Sequence, residues 1–382
     1  MCVRYVDDSS RDSIFIREDF LEFVHVKDVM ASALANTIMQ CIMTLGLDME
    51  MLVGKGYDDA AMMSGQYRGV RTIISEKYPK AQFIHCAAHT LNLVLAHSCK
   101  ISMIRNCIGT FKTVINFFRQ SAMHDGLLKD AAELARATHA NLFVVSLFIL
   151  RKVFSFTSNL NKVLQTKNID LIEACNYVGI VKKTLEDIRN DEEFLKIVTD
   201  SKEFLGIETH FQHLQSQTDK KDEAIILELA ARFSNHHEQI GNLQILLPKC
   251  MKNKYDAINK LSDIHKMYLL NEKLDNLLCE YQLWTKKWEE ISDDLNELNS
   301  INTLEKCDKQ FFPLIYNVLK ILATLSVSTV TAERSFSTLK CLKTYLQNTI
   351  SQERLTGLAL LNIYRDVIVD PLLIVNKLTQ RR

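Results

Sequence analysis

Strand-forming sequence is confined to the first quarter of this 382-residue chain, and that confinement limits its fold more than any other feature. Cys2-Val3-Arg4-Tyr5-Val6 alternates and is followed by the turn signal Asp7-Asp8-Ser9-Ser10. Further short strands are expected at Phe20–Val24, at Met51-Leu52-Val53 before a Gly54-Lys55-Gly56 loop, and at Gln82–His85. Helical spacing separates them over Val29–Leu45, Ala60–Lys77 (stopping before Pro79) and Ala87–His97. From about residue 110 the strand signals vanish. Helical patterns follow at Ile108–Arg119, Leu142–Phe154, Ile169–Asn190, Ile225–Phe233 and Asp256–Leu298. The end of the chain returns to tightly patterned helices, with stripes at Phe312, Ile315, Val318, Leu319 and at Ala332, Phe336, Leu339, Leu342, Leu346. Eleven glycines and four prolines suit long helices.

Several function classes lose support from composition. Basic and acidic residues balance at 46 each, without the basic excess that phosphate-gripping domains show. The ten cysteines are scattered and form no C-x-x-C pair. Asp7 and Asp8 stand where a signal peptide needs apolar residues, so free thiols in a cytosolic or nuclear protein are expected. The longest apolar run, Leu142–Leu150, is about half of the ~20 residues that a membrane span requires. Neither a membrane nor a small-molecule substrate is expected.

Three constellations could carry chemistry. In Gly54–Gly65, Asp58 follows a strand and precedes a helix, where α/β sheets place ligands; the alternative is a carboxylate that caps the helix. Cys86 and His89 lie three apart at a strand-to-helix junction, as half of a zinc site or as a packed thiol beside a hydrogen-bonded imidazole. His210, His213 and His236-His237 read as residues of solvated helix faces. Glu333 sits behind Ser326–Thr331 at a helix start, either favoured there by the helix dipole or aimed into a cleft. Spacing leaves both readings open.

Gly56–Gly65, then His85-Cys86-Ala87-Ala88-His89 with Leu91-Asn92-Leu93, resembles the middle of hAT-superfamily transposases. Glu333–Ser337, Lys343–Leu346 and Glu353–Leu360 resemble that family's carboxyl-terminal dimerisation segment, most closely in the zinc-finger MYM-type and THAP-repressor-like group. The resemblance implies an α/β, ribonuclease-H-like fold with a large all-α insertion. Residues 1–109 would form its first part, 110–305 the helical insertion, and 306–382 the dimerisation segment that completes the core. Asp58 then matches the second catalytic carboxylate and Glu333 the third. The chain opens on what corresponds to the fold's second strand, so the first strand and its Asp have no counterpart. Asp7 and Asp8 would lie at the wrong end of the sheet to replace it.

The resemblance further implies Mg²⁺ or Mn²⁺ at Asp58 and Glu333 if the site works, and no cofactor if it does not. Asp59 stands where the family usually has Gly, its Thr-Arg-Trp element is missing between Lys129 and Asn141, and its amino-terminal zinc finger is absent. The expected protein is thus a nuclear, transposase-derived dimer without strand-cutting activity. An active enzyme completed by an upstream Asp, and a chromatin or transcription regulator, are the alternatives. Phe336, Leu339, Leu342, Leu346, Leu355, Leu358 and Leu360 are its expected dimerisation residues, and Cys86, His89 and Arg334 its candidate DNA contacts.

Overall fold

In a computed structural model the chain is mostly helical, with few strands. The structure describes residues 1–9, 14–57, 69–100, 105–110, 140–166, 169–188, 190–205, 223–234, 241–251, 256–290, 298–345 and 351–367, with single positions at 63, 112, 370, 372 and 379. The chain divides into two compact units. Met1–Phe83 and Thr329–Arg382 form the first, and Ile84–Ser328 the second.

The first unit opens on an antiparallel hairpin of β1 (Cys2–Asp7) and β2 (Phe15–Phe20), in register from Cys2 opposite Phe20 to Asp7 opposite Phe15. Sequence periodicity had placed this second strand at Phe20–Val24, and cross-strand chemistry moves it. Arg4 faces Glu18 with an Nη1–Oε1 distance of 2.7 Å, and Tyr5 Oη donates to Asp19 Oδ2 at 2.8 Å. Arg17 lies 3.3 Å from Asp7 and 3.1 Å from Asp19. Paired opposite charges on facing strands outweigh the higher strand propensity of Leu21, Phe23 and Val24.

Helix α1 (Ala31–Thr44) follows, close to its expected span, and α2 (Val70–Lys77) packs against it. Ala35 and Met39 of α1 meet Val70 and Ile74 of α2 over Met49. The segment between the helices departs from expectation. Met49–Met51 is a turn of 3₁₀ helix, and the expected Gly-Lys-Gly loop is itself strand β3 (Gly54–Tyr57). Asp48 caps the 3₁₀ turn by accepting the Glu50 N–H, which uses Met51 as helix rather than strand. Strand β4 (Gln82–His85) pairs with β3, next to a bond from the Gln82 N–H to the Val53 carbonyl at 3.0 Å. Among the described residues, the strands form two two-stranded sheets.

The second unit carries α3 (Ala87–Ser98), α4 (Ala140–Leu164), α5 (Leu171–Asp187) and α6 (Asp191–Leu205). It continues with a helical segment over 223–234, then α7 (Ala257–Tyr268), α8 (Leu274–Glu290), α9 (Ser300–Glu305) and α10 (Pro313–Thr324). The apolar run at Leu142–Leu150 belongs to a helix of 25 residues, and Phe143–Leu164 is long and apolar enough by composition to cross a membrane. Its buried side chains pack as a protein core: Val145, Ile149 and Leu150 meet Cys107 and Val198. The helix expected over Asp256–Leu298 breaks after Tyr268. Leu269 leaves the helical region (φ −122°, ψ 36°), and His265 Nε2 lies 2.7 Å from the Glu272 carbonyl across the break.

Two buried or half-buried acids hold helix starts in this unit. Asp170 is 1% exposed; it caps α5 by accepting the Glu173 N–H at 2.7 Å, and it also accepts the Ser300 N–H at 2.6 Å, the first of α9, whose own cap is Asn299. Glu280 of α8 accepts the N–H groups of Leu314 and Ile315 at 3.0 and 3.1 Å, at the start of α10. The expected stripe on α10 is fully inside, with Phe312, Ile315, Val318 and Leu319 each at most 4% exposed. Trp284 closes that core edge-on against Phe312 and Trp288, and its indole N–H reaches the Leu246 carbonyl at 2.9 Å.

The chain returns to the first unit with α11 (Val330–Tyr345) and α12 (Gln352–Ile363). The face of α11 differs from the expected stripe. Ser335 is buried and bonds back to the Ala332 carbonyl at 2.6 Å, whereas Phe336 is 61% exposed. Ala332 and Leu339 are half-buried.

Candidate functional site

The first turn of α11 carries the candidate acid Glu333. Its N–H donates to the Thr329 carbonyl at 3.0 Å, and the Thr329 hydroxyl donates to Glu333 Oε1 at 3.1 Å. The carboxylate is exposed and stands where the amino-terminal dipole favours a negative charge. Arg334 beside it is exposed as well. Asp58, the other candidate carboxylate, lies outside the described residues, directly after the end of β3. Among the described residues, no group of three or more His, Cys, Asp or Glu side chains converges on a point that could hold a metal ion.

Glu18 anchors this turn, and periodicity did not single it out. Its carboxylate is 10% exposed; one oxygen meets Arg4 and the other accepts a hydrogen bond from the Thr331 hydroxyl. The hairpin therefore grips α11 two residues before Glu333. The sequence does hold a faint signal: in Phe15-Ile16-Arg17-Glu18-Asp19-Phe20, alternation points Glu18 the same way as Ile16 and Phe20.

Lys55 is a second residue that spacing left unmarked. It is 8% exposed on β3, and its ammonium donates to Ser75 Oγ on α2 at 2.6 Å. Burial, reinforced by the Arg71 charge, lowers its pKa to about 8. Burial likewise raises the Tyr57 hydroxyl above its ordinary range. Arg71 itself lies over the Phe83 ring, 4.7 Å from its centre.

Cys86 and His89 belong to the second unit. Cys86 is buried at the amino end of α3, where its Sγ accepts the His89 backbone N–H at 3.4 Å and acts as the helix cap. The next residue, Ala87, donates to the Val327 carbonyl at 2.8 Å. The nine cysteines whose side chains are described are all free thiols. His210, His213, His236 and His237 lie outside the described residues.

Of the expected dimerisation residues, Phe336 is exposed, while Leu339, Leu355, Leu358 and Leu360 are half-buried. Leu346 lies outside the described residues, and so does the side chain of Leu342. Leu361, not among those expected, is 62% exposed on α12.

Two family models match the chain. Residues 1–69 match the ZMYM1/FAM200 RNase-like domain, and residues 273–367 match the hAT family C-terminal dimerisation region. Among known proteins, the 52 kDa repressor of the inhibitor of the protein kinase from Mus musculus is 25% identical and its Homo sapiens counterpart 26% identical, each over 96% of this chain. The alignments cover 60% and 59% of those proteins, so the chain spans about three fifths of their length. The chain thus carries an RNase-like segment at its front and a hAT family dimerisation region towards its end, and in both it resembles proteins derived from hAT transposases.

Proposed function

We propose that this protein acts by self-association, as a regulator descended from a transposase, and that it does not cut DNA. One observation carries the reading. Within the matched dimerisation region, α11 and α12 present Phe336 and Leu361 to water at 61% and 62% exposure. Large exposed side chains of this kind are what a homodimer buries. The name of the mouse and human relatives, a repressor, supports a regulatory rather than an enzymatic role. Glu333 has a sufficient local purpose as a first-turn residue tied to Thr329.

The finer parts of the reading are a ribonuclease-H-like arrangement in the first unit and a nuclear location. Sedimentation equilibrium tests the central claim, with a dimer expected at micromolar concentration and a clean monomer defeating it. A nicking assay on terminal-repeat duplex DNA with Mg²⁺ or Mn²⁺ tests the second claim. Cleavage that disappears on Asp58→Ala or Glu333→Ala would establish the competing reading, a metal-dependent DNA transferase.

A further inference from the structure

We infer that a second copy of this chain docks on a surface built jointly by the front segment after β2 and by α11, centred on Phe23 and Phe336. The inference rests on the self-association reading and adds to it a front half of the surface, around Phe23, that lies outside the matched dimerisation region. The Phe336 ring lies 6.4 Å from that of Phe23, which in turn lies 4.8 Å from the buried Phe20. The front segment is held from both ends of the second helix of the pair. Gln352 Nε2 donates to the Phe23 carbonyl at 2.9 Å, and Tyr364 Oη donates to the Phe20 carbonyl at 3.1 Å.

The Phe23 backbone is therefore fixed in place, with its ring against Phe336 of α11. Further along the same segment, Val26, Val29 and Met30 are 37%, 61% and 65% exposed. A surface held this way loses little freedom on binding, which favours association. Because Phe336 belongs to the matched dimerisation region and Phe23 touches it, the occupant that fits is the same one, a second copy.

The test is sedimentation equilibrium of the full chain as wild type, Phe336→Asp and Val26→Asp, with urea midpoints to verify the fold. Each substitution should raise the dimer Kd at least tenfold. Should Val26→Asp lower the urea midpoint, Met30→Lys replaces it, with the same expectation. A wild-type monomer defeats both the self-association reading and this inference. If Phe336→Asp weakens the dimer while the front-segment variant leaves Kd within twofold, self-association stands and the joint surface is overturned. Sensitivity at the front segment alone overturns it too, because the surface needs both halves.

Discussion

Glu18 of β2 accepts a hydrogen bond from the hydroxyl of Thr331, 313 residues further along the chain. The same carboxylate pairs with Arg4, and the side chains of that ion pair are only 8% and 10% exposed. Breaking a buried pair costs more than a surface pair contributes, because the remaining charge stays in a poorly solvated place. Glu18→Ala should destabilise the first unit by about 3 kcal/mol or more. Thr331→Val, which leaves the ion pair intact, should cost about 1 kcal/mol. Urea unfolding measures both, and equal effects would mean that the two contacts are not ranked as argued.

Asp170 should be the most sensitive acid in the second unit. It caps α5 and accepts the first N–H of α9 from one buried position, so Asp170→Ala removes two acceptors at once. With about 1 kcal/mol for the cap and about 1 kcal/mol for the bond to the Ser300 N–H, the loss should be about 2 kcal/mol, and more if that N–H finds no new partner. Asp170→Asn retains one acceptor oxygen and should recover about half of the loss. Thermal unfolding of the three proteins distinguishes these levels.

Lys55 predicts a pH dependence of definite sign. Its folded pKa is lowered to about 8 from an ordinary value of 10.5, so between these values the unfolded chain binds more protons. The Lys55 contribution to stability therefore grows from pH 8 towards pH 10. Above pH 9 the buried thiols of Cys41, Cys175 and Cys307, raised to about 12, work the other way because they ionise in the unfolded chain first, and above pH 10 the raised Tyr57 hydroxyl joins them. Lys55→Met should remove the lysine's share, so that the stability difference between wild type and variant changes in favour of the wild type as pH rises from 8 to 10. Urea midpoints of both proteins across pH 7 to 11 measure that difference, and a constant difference would defeat the assignment.

Cys86 offers a test of a cap made by sulfur. A thiol is a weak acceptor, and its bond to the His89 N–H is long, at 3.4 Å. Cys86→Ser should keep the cap, whereas Cys86→Ala should cost about 1 kcal/mol through loss of both cap and packing. Circular dichroism melts provide the comparison. A Ser variant that melts below the Ala variant would make Cys86 a packing residue only.

Elements set by local pattern were legible in the sequence, and elements set by distant partners were not. Helices α1 and α3, strand β4 and the buried stripe of α10 follow from apolar spacing alone. Strand β2 was misplaced because its three consecutive charges, Arg17, Glu18 and Asp19, find their reason only in Asp7, Arg4 and Tyr5 on the facing strand. Lys55 reads as part of a Gly-Lys-Gly loop, since nothing within a few residues shows that Ser75 will receive its ammonium. Burial of Ser335 instead of Phe336 is likewise decided outside α11. At the candidate site, spacing alone made Glu333 an ordinary helix-start acid, and family resemblance gave it a partner in Asp58.

The clasp between Glu18 and Thr331 also sets an order in time. A ribosome adding about 5–20 residues per second has made the hairpin long before it reaches α11. The interval is tens of seconds, during which Glu18, Phe20 and Phe23 lack Thr331, Tyr364 and Phe336 as neighbours. The whole of Ile84–Ser328 is synthesised in that interval. The hairpin is thus made early and completed late. Chaperones that hold nascent polypeptides should grip it in between.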